Sequence, residues 1–316
     1  MFALAALARE PWQLAVAILL IGFQLGNTGV MLAGIRDVAP TARLGLTIAV
    51  FGAASPIGFA IGPAIGGLFV DGLGLGLSSV FWFSALLSVG AAALVTFGSK
   101  EVRPEVVPVG SVASLALGAV RGVLADRNVR WIFTIFGLAF LATQMTRPYI
   151  PILVEGIVGI GPGLASAIAL VAGTAALVGA LISPAGGALG DRIGFRPVLT
   201  ASLVGGGIAL LLMPVVGGIG ALAMVAVLLA ASTAAVSAMI FGLLAREVAP
   251  ERRSATLNLV YLPLYAAGII GPAAGSLMVV GAGVGAPFVA GACVFFVGAA
   301  AMVAIGRGRA VRAVPG

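Results

Sequence analysis

The chain has 316 residues, of which 61% are hydrophobic and only 9% charged, and it carries a net charge of +7 with a mean hydropathy of +1.22. A soluble globular chain carries about 25% charged residues, and a domain of this size has too little interior to hide so much apolar surface, so the composition excludes a soluble protein. With no histidine and a single cysteine, Cys293, the chain also lacks the means for a His/Cys metal site, a Cys-x-x-Cys redox pair, an internal disulfide or a Ser-His-Asp triad.

Nine apolar runs follow one another along the chain, each of about the 20 residues that an α-helix needs to cross a bilayer core of about 30 Å. The first three are residues 11–35, 44–70 and 77–98. The fourth is 131–154, interrupted only by Arg147, and the fifth lies within 156–190. Residues 197–245 and 254–306 hold two spans each, broken at the turn-rich stretches 214–220 and 281–287. The sequence therefore predicts an all-α membrane protein with nine transmembrane helices.

The basic residues indicate how these spans are oriented, because cytoplasmic loops are enriched in Lys and Arg. If the C-terminus is cytoplasmic, Arg9 falls outside and Arg147 within a span, and all the others of the 17 basic residues fall in inside loops. We therefore predict a multi-pass protein of the cell (inner or plasma) membrane, with its N-terminus outside and its C-terminus in the cytoplasm. The positive net charge follows from this topology, and we expect no nucleic-acid partner.

The chain also repeats itself at an offset of about 210 residues, since 36–43, 61–66 and 89–95 resemble 246–253, 270–275 and 297–303 in the same order. Spans one to three then correspond to spans seven to nine, a parallel repeat of the kind that relates the halves of a transporter. The second copy has six spans and the first only three. We therefore expect a complete chain to hold about 80 further residues with three helices ahead of Met1.

The repeat predicts four parts of the chain. Residues 1–98 form a partial N-terminal half of three helices, and residues 99–128 form a charged cytoplasmic linker with prolines at 104 and 108. Residues 129–306 form the C-terminal half of six helices, and residues 307–316 form a cytoplasmic tail.

Span two contains a glycine-rich signature, Gly58-Phe-Ala-Ile-Gly62-Pro63-Ala-Ile-Gly66-Gly67. Small residues at a spacing of four let helices pack backbone to backbone, and Pro63 removes a backbone hydrogen bond and kinks the helix. Every position matches the antiporter signature Gly-x-x-x-Gly-Pro-x-x-Gly-Gly of the 12-helix drug:proton exporters in the major facilitator superfamily. This resemblance implies a contact between helices that favours export of the substrate over its passive leakage. The alternative is generic packing in a chain with 47 glycines.

The loop after span five carries a second signature, Gly187-Ala-Leu-Gly-Asp191-Arg192-Ile-Gly194-Phe-Arg196. It resembles the cytoplasmic signature of the same superfamily, although Gly190 stands where alanine is usual and Phe195 where a basic residue is usual. Gly187 is expected to let two helices approach, and Gly194 to permit a tight turn with positive φ. The resemblance implies a cytoplasmic gate. The alternative is a short charged turn held inside by its basic residues.

Polar residues within the spans mark a candidate substrate cavity, because such groups are costly in lipid. By the resemblance, spans one, four and seven line the cavity of the complete fold, and span eight adds second choices. The candidates are Gln24, Asn27, Thr28, Gln144, Arg147, Asn258 and Tyr261. Gln144 and Arg147 are three residues apart and share a helix face, although Arg147 could instead extend to the outer headgroups. The hydroxyls of Ser232, Thr233 and Ser237 are expected to bond their own helix backbone.

Together these features predict a secondary transporter, not an enzyme, that expels drugs or other small amphipathic molecules by alternating access and proton exchange. We expect no cofactor and no metal. The expected partners are the small-molecule substrate, protons and the lipid bilayer, with a monomeric chain. One alternative is a sugar or metabolite carrier of the same fold, because no carboxylate lies deep in any span and Gly22-Phe-Gln24-Leu-Gly26 lacks the arginine of the exporters' Arg-x-x-Gln-Gly. Another is a truncated membrane protein that transports nothing.

Overall fold

In the computed structural model, the described residues are 1–21, 44–98, 121, 127–247 and 261–312. Every regular element in these ranges is helical, which confirms the predicted all-α class. Seven of these helices are long and apolar enough to cross a membrane: Leu77–Gly98, Val129–Val158, Leu164–Ile182, Phe195–Leu212, Ile219–Leu244, Pro263–Ala282 and Ala286–Ala304. Two shorter apolar helical stretches, Pro11–Leu20 and Ile57–Gly72, overlap predicted spans one and two. The second of them is the end of a longer helix together with the turn that follows it. The described residues thus contain helices of spanning length and composition at seven of the nine predicted spans.

The chain divides into two compact units, the first of which contains the described residues up to Gly98 and the segment Gly161–Ala169. Its elements are α1 (Phe2–Leu7), α2 (Pro11–Ile21), α3 (Leu44–Gly67), a π-helical turn (Leu68–Gly72) and α4 (Leu77–Gly98). Helix α1 packs against α2 and α4, and the π-helical turn contacts both α3 and α4. The rings of Phe69 and Phe83 lie 5.2 Å apart between that turn and α4.

The second unit holds the remaining helices. They are α5 (Arg127–Thr146), a 3₁₀ turn (Arg147–Tyr149), α6 (Ile150–Val158), α7 (Leu164–Ile193), α8 (Phe195–Leu212), α9 (Ile219–Glu247), α10 (Tyr261–Ala282) and α11 (Ala286–Arg312). The part of α7 from Leu170 onward belongs to this unit, and the residues before it belong to the first. The gap between α8 and α9 and the gap between α10 and α11 coincide with the breaks predicted at 214–220 and 281–287. Both contain glycines, and Gly283 adopts a φ of +80° that L-residues rarely reach.

Helix α5 lies at the centre of the second unit, where it contacts α9, α10 and α11, and α8 packs against α9 and α11. Its buried apolar residues recur at helical spacing, at Ile132, Ile135, Phe136, Ala139 and Ala142. Many large apolar side chains elsewhere are exposed, among them Phe97 and Val280 at 89% each. Such exposure is expected of a chain whose solvent is lipid, since lipid tails are as apolar as leucine.

Close helix contacts in the second unit depend on glycine. A Cβ atom at Gly206 of α8 would overlap the ring of Phe295 of α11, and a Cβ at Gly207 would lie 2.8 Å from the ring of Phe296. Phe295 is among the largest fully buried side chains of the described residues. At this contact the rings of Phe295 and Phe296 therefore pack directly against the α8 backbone.

Candidate functional site

The antiporter-type motif lies on α3, and its last glycine packs against the start of α7 within the first unit. A Cβ at Gly67 would lie 3.1 Å from the Cα of Ser166 and 3.3 Å from the Cβ of Ala169. At Gly58, Gly62 and Gly66 a Cβ would have no described atom within 4 Å. Helix α3 runs through Pro63 without interruption before the π-helical turn. In the described part of the chain, the expected close packing is therefore found at Gly67 alone.

Asp71, one residue beyond the predicted span 44–70, caps the N-terminus of α7 at the same seam. Its Oδ2 accepts a hydrogen bond from the backbone N–H of Ser166 at 2.6 Å. Ser166 is the third residue of α7, where backbone N–H groups have no partner within the helix. Hydrogen bonds from the Ser166 hydroxyl and from its N–H lower the pKa of Asp71 below the ordinary value of 3.8, and the helix dipole also favours the anion.

This capping predicts how stability depends on pH. Because the pKa of Asp71 is lower in the folded state, ionised Asp71 contributes stability above pH 3.8, and that stability is lost as the pH falls through the folded-state pKa. We expect Asp71→Asn to melt at a lower temperature than the parent protein at neutral pH. The difference should shrink on acidification below pH 3.8, measured by thermal unfolding in detergent. Parallel melting curves for the two proteins across this range would contradict the assignment.

The gate motif lies at the junction of α7 and α8. Gly194, the residue before α8, has a φ of +96°, which confirms the predicted tight turn. Asp191 and Arg192 are exposed, and Arg196 is half-buried. The close helix approach expected at Gly187 is not found among the described residues, because a Cβ there would have none of their atoms within 4 Å. The close approach is one turn later, at Gly190.

The two residues at which this motif departs from the family signature touch each other. A Cβ at Gly190 would lie 2.7 Å from the sulfur of Met239 on α9 and 2.9 Å from the Cδ1 of Phe195. The ring of Phe195 also lies so close to Gly242 of α9 that a Cβ there would overlap it. The ring of Phe195 therefore lies between Gly190 and Gly242, an arrangement that we call the Phe195 slot. The alanine usual at position 190 would crowd both the ring of Phe195 and the end of the Met239 side chain.

This coupling is testable by substitution. We expect Gly190→Ala to destabilise the protein by about 1–3 kcal/mol, the range for overpacking a closed contact. Adding Phe195→Arg, which restores the usual pair and removes the ring but not the contact with Met239, should recover part of the loss. Gly187→Ala, three residues away in open space, is the matched control and should leave the melting temperature nearly unchanged. Equal losses for Gly187→Ala and Gly190→Ala, or no recovery in the double variant, would refute the slot.

Of the cavity candidates, the structure describes the side chains of Gln144 and Arg147 and the backbone of Tyr261, the first residue of α10. Gln24, Asn27, Thr28 and Asn258 lie outside the described residues. Gln144 is half-buried and Arg147 is exposed. The continuous helix face predicted for this pair is interrupted, because α5 ends at Thr146 and Arg147 begins a 3₁₀ turn. Pro148 is the sequence signal for this break, since proline disfavours helical conformation in the residue before it.

The hydroxyls of Thr233 and Ser237 bond their own helix, as predicted. The hydroxyl of Thr233 donates to the carbonyl of Ala230 at 3.0 Å, and that of Ser237 donates to the carbonyl of Thr233 at 3.0 Å. In span four, Thr146 donates to the carbonyls of Ala142 and Thr143, both at 3.1 Å. These bonds satisfy polar groups within a single helix.

Sequence comparison gives a family and a set of relatives. The Major Facilitator Superfamily profile matches residues 1–182 and 165–315. The multidrug resistance protein MdtG of Salmonella paratyphi A (strain ATCC 9150 / SARB42) is 27% identical over 205 residues, which are 64% of this chain and 49% of that protein. MdtG of Citrobacter koseri is 26% identical over 204 residues, or 64% of this chain and 48% of that protein. The chain thus spans about half the length of these relatives.

Among solved structures, the E. coli fucose:proton symporter FucP, in a variant form, aligns with a TM-score of 0.48 and 16% sequence identity. The alignment covers 72% of this chain and 53% of that one.

Proposed function

Because the chain belongs to the Major Facilitator Superfamily, whose members are membrane transporters and not enzymes, we propose that it exports drugs or other small amphipathic molecules. Transport would proceed by alternating access, in which two helical halves rock about a substrate site near the midplane of the bilayer. Protons moving inward would drive the substrate outward. The halves of this proposal are residues 1–98 and 129–306, joined by the linker 99–128 and followed by the tail 307–316.

One observation carries this proposal. The antiporter-type motif is complete from Gly58 to Gly67, and its last glycine lies against the backbone of α7 at Ser166. Small residues at such a contact let two helix backbones approach closely, which narrows a path for leakage. The relatives MdtG of Salmonella paratyphi A and Citrobacter koseri, each named a multidrug resistance protein, support the same direction of transport.

Arg147 is the proposed centre of the substrate cavity. It lies in the 30-residue apolar stretch Val129–Val158, and three to four residues from the middle of that stretch. At a rise of 1.5 Å per residue, this distance is about 5 Å. If the stretch is centred in the bilayer, the outer boundary of the core is about 10 Å away, farther than an arginine side chain reaches. An arginine at this depth favours a polar cavity over the lipid headgroups.

The remaining parts of the proposal follow from the sequence. The cavity includes Gln144 with Arg147, and Gln24, Asn27, Thr28, Asn258 and Tyr261 complete its polar lining. The chain is placed in the plasma membrane with the C-terminus in the cytoplasm and the N-terminus outside. Asp191, Arg192 and Arg196 close the cytoplasmic gate, together with the Phe195 slot. The chain works as a monomer.

The substrate class can be tested in cells that lack their own exporters. Cells that express the chain are expected to accumulate less of an amphipathic fluorescent dye than cells with an empty vector, at equal membrane integrity. Unchanged dye accumulation together with altered uptake of radiolabelled sugars would overturn the proposal in favour of a metabolite carrier. Unchanged accumulation of every compound, with the protein confirmed in the membrane, would favour a chain that transports nothing.

A further inference from the structure

The second copy of the repeat places a glycine pair, Gly271 and Gly275 of α10, against the break between α5 and α6. A Cβ at Gly271 would lie 2.8 Å from the Cβ of Gln144 and 3.0 Å from the backbone nitrogen of Met145. A Cβ at Gly275 would lie 2.5 Å from the carbonyl oxygen of Met145. Most of these neighbours are backbone atoms, which cannot move aside as the tip of a flexible side chain can. Any residue larger than glycine must therefore displace the end of α5.

The same glycine pair also contacts the far side of the break. A Cβ at Gly275 would lie 3.0 Å from the ring of Tyr149, the last residue of the 3₁₀ turn. Tyr149, Met145 and Thr146 are buried. Arg147, between them in sequence, is exposed. Buried side chains therefore hold the turn on both sides of Arg147.

The break needs such support because its backbone departs from an α-helix. Pro148 has no N–H to donate to the carbonyl of Gln144 four residues earlier. The N–H of Ile150 instead bonds the carbonyl of Arg147, in the 3₁₀ pattern. A turn of this kind has few hydrogen bonds of its own to fix its direction. The close approach of α10 supplies the constraint.

We propose that Gly271 and Gly275 are positioning residues, which hold the 3₁₀ turn so that Arg147 presents its charge to the substrate cavity. The inference rests on the proposed function for the identity of that cavity. The positioning itself depends only on the contacts of α10 with the turn.

The orientation of position 147 can be measured without transport. In a Cys293→Ser background, Arg147→Cys is labelled with a membrane-impermeant maleimide in the full-length protein. Gly271→Ala is expected to change the labelling rate by about tenfold, since the strain of one overpacked methyl group is enough to shift the turn. Gly268→Ala, one turn away on α10 and with only the Gln144 amide at 3.7 Å from its Cβ, is the matched control. It should leave the rate within about twofold.

A second variant keeps the test valid if the Gly271→Ala protein misfolds. Tyr149→Leu removes the ring that rests on Gly275 without adding an atom to the contact, and it should also change the labelling of position 147. Ile160→Cys, which lies beyond α6 and is 86% exposed as isoleucine, should label equally in all backgrounds. Identical labelling of position 147 in the Gly271→Ala, Tyr149→Leu and Gly268→Ala proteins would overturn the positioning role.

Measurements of transport, compared with the labelling, distinguish a failure of this inference from a failure of the proposed function. With arginine restored at position 147, Gly271→Ala should raise the substrate concentration that gives half-maximal export by about tenfold. The maximal rate should fall less, because the gates are untouched, whereas a merely unstable protein would lose maximal rate alone. If no variant exports dye but the labelling difference is present, the positioning stands and the proposed function fails. If export is normal but labelling is unchanged, the reverse holds.

Discussion

Replacing Gly206 with alanine is expected to lower the melting temperature of the purified protein and to reduce its level in the membrane. The ring of Phe295, which is 1% exposed, lies on the α8 backbone so closely that a Cβ at Gly206 would overlap it. The ring is carried by α11, which packs against both α5 and α8. Relief therefore requires a shift of α11, and such overpacking typically costs about 1–3 kcal/mol.

The control for this substitution uses the same pair of helices. A Cβ at Gly298 of α11 would lie 3.6 Å from a methyl group of Leu203 on α8, which is an ordinary van der Waals distance. Gly298→Ala should therefore be neutral or stabilising by up to about 1 kcal/mol, the helix-propensity difference between glycine and alanine. Similar melting temperatures for the Gly206→Ala and Gly298→Ala proteins would contradict the packing of α8 on α11.

Replacing Arg147 with alanine is expected to reduce the initial rate of dye export by about tenfold or more, at equal protein levels. A hydrogen bond to a charged group typically contributes about 1.5–3 kcal/mol, and a tenfold change in rate corresponds to about 1.4 kcal/mol. Arg147→Lys should retain part of the rate, because lysine keeps the charge but loses the planar arrangement of donors. Export is measured as the loss of fluorescence from preloaded cells.

The matched control for Arg147 is Arg130, which is also an exposed arginine and lies near the start of α5, the helix that ends just before Arg147. Arg130→Ala removes the same charge from the predicted cytoplasmic end and should leave the export rate within about twofold, since surface charges contribute little. If Arg147 only reached the outer headgroups, its alanine and lysine variants would both export at the parental rate. That outcome would exclude Arg147 from the cavity.

The sequence predicted those parts of the fold that depend on local patterns. The apolar runs gave the spans of the second unit, and glycines and prolines marked the breaks before Ile219 and before Ala286. Gly194 was identified because a positive φ strongly favours glycine. Each of these features is decided by neighbours in the chain, so a single sequence is enough to find it.

Contacts between distant residues were not accessible in this way. The sequence shows a glycine at both 187 and 190 and does not distinguish their surroundings. Only the position of Met239 on α9 shows that a larger residue would be crowded at 190. The role of Gly271 depends on where the backbone of Gln144 lies, more than a hundred residues earlier. Family signatures name the usual residues at such positions. They do not show that the side chains of Phe195 and Met239 both lie against position 190 in this chain.

The central claim, proton-coupled export, is tested most directly in everted membrane vesicles that contain the protein, with an imposed pH gradient and an amphipathic dye outside. The proposal predicts that an acidic lumen drives dye accumulation, that a protonophore abolishes it, and that vesicles with Arg147→Ala accumulate about tenfold less. Accumulation at the same rate with and without the pH gradient would contradict proton coupling. No accumulation above that of vesicles lacking the protein would contradict export itself.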